Sequence, residues 1–217
     1  MKKLIVVFLT LLVSLTKAQS QGAVASYDNG IPVRLTSYTD VKGSVYLLDD
    51  WSMGIVKSTD GKVSKDYKLK YNLVEDQLLF LGKDGETPMK FSSAIKEFQI
   101  AEKGLYRNGY PALKKNTQLN YYEVLADGKV QLLKRNNKTI TEYREYNSAT
   151  TTRKIADNFE YYFYNGETIV PVAKDQSVLE TIFKDKASAV QSKIKERKLN
   201  LKKEADLKEI VEFYNQL

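Results

Sequence analysis

Two short constellations in this chain hold side chains that could do chemistry. Asp49 and Asp50 stand beside Trp51, the one tryptophan of the sequence, and a carboxylate next to an aromatic platform could hold a sugar or a calcium ion. The same residues also read as a tight polar turn between two strands, since Asp bonds readily to its own backbone there. No EF-hand spacing surrounds them, so calcium would be incidental. The second constellation is Tyr161 to Tyr164. An aromatic ligand platform here competes with a plainer arrangement, a sheet with one core face and a tyrosine-lined outer face carrying Tyr162 and Tyr164.

The chain contains neither His nor Cys. That removes Ser-His-Asp and Cys-His catalysis and leaves zinc, copper and haem without their usual ligands. Carboxylate chemistry, a Ser-Lys pair or a hard cation held by oxygens survives. Ser93-x-x-Lys96 and Ser192-x-x-Lys195 match the shortest serine-lysine pattern, but about two such matches arise by chance at this serine and lysine content. Glu142 and Glu145, at odd spacing on a strand, point to opposite faces and make no glycosidase dyad. No catalytic residue, metal ligand or cofactor is therefore assigned.

Positioning begins with the cellular address. Met1-Lys2-Lys3, an apolar run from Leu4 to Val13 and small residues up to Ala18 have the three-part form of a secretory signal peptide over residues 1–18. Its run is too short to span a bilayer comfortably, so no transmembrane anchor is expected after cleavage. Cleavage would leave 199 residues, one domain's worth, and would lower the net charge from +7 to +4 by taking away Lys2, Lys3 and Lys17. The remaining lysines are interspersed with acids, which argues against nucleic acid as a partner.

Residues 19–42 read as an N-terminal arm with a possible first strand over Ile31 to Tyr38. Residues 43–172 carry the sheet signal: short alternating runs hinged on Asp60-Gly61, Asp84-Gly85, Asp127-Gly128 and Asn165-Gly166, pairs suited to tight hairpin turns. Strands are expected at Ser44 to Leu48, Met53 to Ser58, around Tyr67 to Tyr71, and at Gln77 to Leu81, Pro88 to Phe91, Ile95 to Ala101 and Asn120 to Leu125. Val130 to Lys134 and Thr139 to Tyr146 follow, divided by a polar turn at Arg135-Asn136-Asn137-Lys138. Lys103 to Leu119 reads as an irregular excursion and Asn147 to Asp157 as a loop, before a hairpin running from Phe159 to Val172.

Over residues 173–217 the apolar period changes to about 3.6, the spacing of a helix. Ser177-Val178-Leu179-Glu180 reads as a capping box. Leu179, Ile182 and Phe183 form one stripe, Ala187 to Arg197 a second helix, and Asn200 to Gln216 a third with Leu207, Ile210, Val211 and Tyr214 inward. The basic run Lys193 to Lys203 could approach an anionic membrane, though as the polar side of packed helices it needs no partner. The expected fold class is α+β: a mainly antiparallel, curled sheet or barrel of about nine or ten strands, followed by two or three C-terminal helices packed on it.

Tyr71-Asn72 with Asp76, Phe98, the run from Tyr121 through Gly128 to Lys134, and the closing Tyr214-Asn215 give the chain its one resemblance. It resembles a group of uncharacterised secreted β-rich proteins of Bacteroidota-type bacteria. The resemblance implies an exported, periplasmic or secreted address, with outer-membrane association possible, and supplies no catalytic residue. The reading that follows is a non-enzymatic module binding another cell-envelope component. A carrier of an apolar or amphiphilic ligand in the sheet cavity, lidded by the helices, is a second reading, and a carboxylate-based hydrolase a third.

Overall fold

The computed structural model describes residues 30–101, 103–144, 151–173 and 175–217. Residues 1–18, where a signal peptide is expected, and residues 19–29 lie outside the described residues. The chain builds one twelve-stranded, mainly antiparallel sheet followed by helices. The strands are β1 (Gly30–Pro32), β2 (Val41–Lys42), β3 (Ser52–Ser58), β4 (Val63–Asn72), β5 (Gln77–Leu81) and β6 (Pro88–Phe91). They continue with β7 (Ile95–Ile100), β8 (Gly104–Arg107), β9 (Tyr122–Ala126), β10 (Gln131–Arg144), β11 (Thr151–Tyr164) and β12 (Ile169–Pro171). Their order across the sheet is β1-β6-β5-β4-β3-β7-β8-β9-β10-β11-β12, with β2 pairing parallel to β11.

One connection shows that the sheet coils. Three residues, 92–94, join β6 to β7, yet β5, β4 and β3 lie between those strands in the sheet. Four flat strand spacings would be about 19 Å, while the steps from Phe91 to Ile95 reach at most about 14 Å. The sheet bends instead, helped by register shifts in β3 between Gly54 and Val56 and between Lys57 and Ser58. Its concave side encloses Val56, Leu69, Tyr71, Leu78, Phe80, Met89, Ile95, Phe98, Ile100 and Tyr106. Phe98 and Tyr106 stack there with ring centroids 4.9 Å apart. No ladder joins β6 to β7 among the described residues, so the curl stays open.

The second half of the sheet is covered on both faces. The helices α1 (Gln176–Phe183), α2 (Ala187–Arg197) and α3 (Glu204–Asn215) lie over one face. Their Ile182, Phe183, Val190, Leu207, Ile210 and Val211 are fully buried with Val130, Leu132 and Phe163 of the sheet side. Each such side chain is worth about 1.5–3 kcal/mol when buried, which is why these short helices hold. Asn215 adds a clasp: its Oδ1 accepts from Val130 N and its Nδ2 donates to Val130 O, both at 2.9 Å. Gly128 makes room for it, since a Cβ there would sit 2.4 Å from the Asn215 amide nitrogen. On the opposite face, Tyr110, Tyr122, Leu133, Tyr162 and Ile169 form a separate cluster.

Several local expectations change. The first strand shrinks from Ile31–Tyr38 to Gly30–Pro32, because its partner β6 offers only four residues. Ser44 to Leu48 makes a single bridge, Tyr46 with Asn72, in place of a strand. The excursion from Lys103 contains β8, which fills the slot between β7 and β9, and its later part lays Tyr110 across the sheet. The capping box moves as well: Asp175, two residues before Ser177, caps α1 by accepting from Ser177 N at 3.0 Å. The third helix starts at Glu204, after an Asn200 whose Oδ1 accepts from Lys202 N in a turn.

The largest change concerns Arg135 to Lys138. Instead of turning, these residues run straight through β10, paired with Glu160 to Asp157 of β11, so Thr151 to Asp157 is strand where a loop was expected. Residues 145–150 lie outside the described residues. The Asn165-Gly166 turn forms as expected, with Tyr164 opposite Ile169 and Gly166 at φ 92°. A Cβ at Gly166 would meet nothing within 4 Å, so Gly166→Val is a purely backbone penalty. It should destabilise the fold by about 1–3 kcal/mol, read as a lowered urea midpoint; an unchanged midpoint would show that the turn carries no strain.

Candidate functional site

The polar stretch that continues β10 creates a concavity. Side chains alternate along a strand, so Arg135, Asn137 and Thr139 share a face with Asn158 and Glu160 of β11. Facing them are the β4–β5 turn and the segment around Asn116 and Asn120. Together they enclose an open cleft of about 800 Å³, inside the ~300–1,000 Å³ range of small-ligand sites.

The cleft is held by one partly buried carboxylate. Asp76 sits in the β4–β5 turn at φ 53°, a left-handed conformation that Asp and Asn tolerate better than most residues. The turn itself is shaped by Asn72, whose Oδ1 accepts from Val74 N and Glu75 N at 2.9 and 3.1 Å. Asp76 then accepts from Tyr71 Oη, from Asn120 Nδ2 at 2.5 Å and from Arg135 NH2 at 3.0 Å. Burial, and after it the charge of Asp76, hold the Tyr71 hydroxyl well above its ordinary range, so it stays a donor. The Arg135 and Asp76 side chains are only 9% and 15% exposed. Arg135 NH1 donates to the carbonyls of Tyr121 and Asn136, while its buried Nε–H has no hydrogen-bond partner among the described residues.

The residues singled out in the sequence lie elsewhere. Asp49 and Asp50 are exposed, and Trp51 is half-buried. Lys70 occupies this platform: its Nζ lies 5.5 Å from the Trp51 ring and 4.5 Å from the Tyr46 ring, and donates to the Asp49 carbonyl. Among the described residues, no three His, Cys, Asp or Glu side chains gather to hold a metal. Tyr162 does not line an outer face. It is 1% exposed, because the long segment carrying Tyr110 covers that side, and its hydroxyl donates to Glu160 at 2.5 Å. Tyr164 is half-buried against Tyr110 and donates to Gly166 O at 2.7 Å. Tyr161 is tied to the helices through Glu204 at 3.1 Å, and burial, then that carboxylate, push it up to about 12.

Sequence reasoning thus passed over Asp76, Arg135 and the Asn137–Asn158 pair as site residues. The available signal was the lack of Gly or Pro between Gln131 and Arg144, so no residue there interrupts a strand. The site assembled there is polar and prefixed: it can hold a ligand by hydrogen bonds. Among the described residues, no helix is long and apolar enough to cross a membrane. No known protein family, curated protein or solved structure matches the chain.

Proposed function

We propose that this chain is a non-enzymatic binding module, acting outside the cytoplasm, that holds another component of the cell envelope in the polar cleft. The contrast between two spaces carries this reading. A carrier needs room between sheet and helices, and there Phe163, Phe183, Val190, Ile210 and Val211 fill the volume at 0% exposure. The cleft beside Arg135 is open, and its floor is fixed before any ligand arrives, which lowers the ordering cost of binding. The Lys2-Lys3 start, apolar run and Ala18 supply the reason to look in the envelope.

Affinity capture with the full chain from an envelope extract tests the reading, with mass spectrometry of the retained proteins, lipids and glycans. Asn137 lines the cleft, so Asn137→Trp should block it. Retention of a specific component should fall at least tenfold in this variant while its melting temperature stays near that of the parent. Equal retention by parent and variant would place the binding surface elsewhere.

A further inference from the structure

We propose that the ligand of this cleft is a neutral, polyhydroxylated chain, an oligosaccharide segment. This rests on the cleft being the binding seat and adds the chemistry of what sits in it.

Charge argues first. The lining holds four carboxylates, Glu75, Asp76, Asp157 and Glu160, against three cations, Lys115, Arg135 and Lys138. Two of the cations are already engaged: Arg135 by Asp76, and Lys138 by the carbonyls of Ser44 and Tyr46 at 2.8 and 2.9 Å. An anionic ligand would meet a net negative wall with Lys115 as its remaining attraction. A cationic ligand would have to displace existing partners: Asp76 and Asp157 pair with Arg135 and Lys138, and Glu75 and Glu160 accept from the Tyr38 and Tyr162 hydroxyls.

Hydrogen-bonding capacity argues next. A sugar hydroxyl both donates and accepts, and so does a carboxamide. Asn137 and Asn158 lie directly opposite each other in the ribbon. Asn158 Nδ2 donates to Thr139 Oγ1 and Ala156 O, which leaves its Oδ1 as an acceptor. Arg135 itself is committed to Asp76 and to the carbonyls of Tyr121 and Asn136, so it presents no uncompensated charge to the ligand. Phe159, paired with Asn136, is 57% exposed and turns its ring to the other face of the ribbon, beside Tyr161. Lys134 Nζ stands 5.2 Å from its ring centroid.

Isothermal titration of the full chain with maltotriose, cellotriose, mannotriose and chitotriose, beside trigalacturonate and inorganic phosphate, tests this. At least one neutral trisaccharide should bind at least tenfold more tightly than either anion. Asn137→Trp should weaken that binding at least tenfold, with a melting temperature near that of the parent. Phosphate or trigalacturonate binding best would overturn the proposal, as would silence toward all four neutral probes. If cleft-dependent capture persists in that case, only the ligand chemistry fails; if capture also ignores Asn137→Trp, the seat itself is wrong.

Discussion

Asp76→Ala should cost about 3–5 kcal/mol of folding stability, the usual penalty for leaving a buried charge without its partner. The variant strands Arg135, whose side chain is 9% exposed, and removes the acceptor of Tyr71 and Asn120. It also places Ala at φ 53°, where Asp and Asn are better suited. Asp76→Asn keeps shape and backbone preference while losing the charge, so it should fall between parent and Asp76→Ala. Adding Arg135→Met to Asp76→Ala should recover part of the loss, because the orphaned charge goes with it. Urea denaturation reads all three; a midpoint for Asp76→Ala equal to that of the parent would mean the network is ornamental to the fold.

Truncation after Val172 should be more severe still. It strips the helices from Val130, Leu132 and Phe163, which are fully buried, and leaves an apolar patch of the size that drives association. The shortened chain should aggregate or bind a hydrophobic dye. Phe183→Ala offers a graded version at about 3–5 kcal/mol, since Phe183 packs on Phe163 at 5.4 Å and on Tyr214 at 4.9 Å between ring centroids. A truncated protein that stays monomeric, dye-silent and as stable as the parent would show that the helices are an appendage.

The hairpins hinged on Asp-Gly and Asn-Gly were legible because those pairs encode backbone angles locally. The helical stripes were legible for a similar reason, their burial being written in a period. What the chain does not write locally is a partner far along it. Arg135 reads as turn material until Asp76, 59 residues earlier, neutralises it, and Lys138 until the carbonyls of Ser44 and Tyr46 accept its hydrogen bonds. Tyr162 looked like an outer residue because nothing near it announces that Tyr110 lies across that face. The cleft is made of such distant pairings, so it was the least visible part of the molecule.

The short edges of the sheet contrast with the long ribbon of β10 and β11. Gly30–Pro32 and Ile169–Pro171 end the sheet in three-residue strands that each contain a proline, which discourages further pairing. β10 is different: β9 accompanies only Leu132 to Lys134, and β10 runs on to Arg144. The Lys138 amide points away from β11, to Leu73 O, so by two-residue parity the amides of Ile140 and Glu142 point the same way. Among the described residues, the molecule therefore guards both ends of its sheet against templated aggregation, while no strand pairs with the outward ladder of β10 beyond Lys134. Crowding, concentration and storage should act on that ladder first, well before the cores are disturbed.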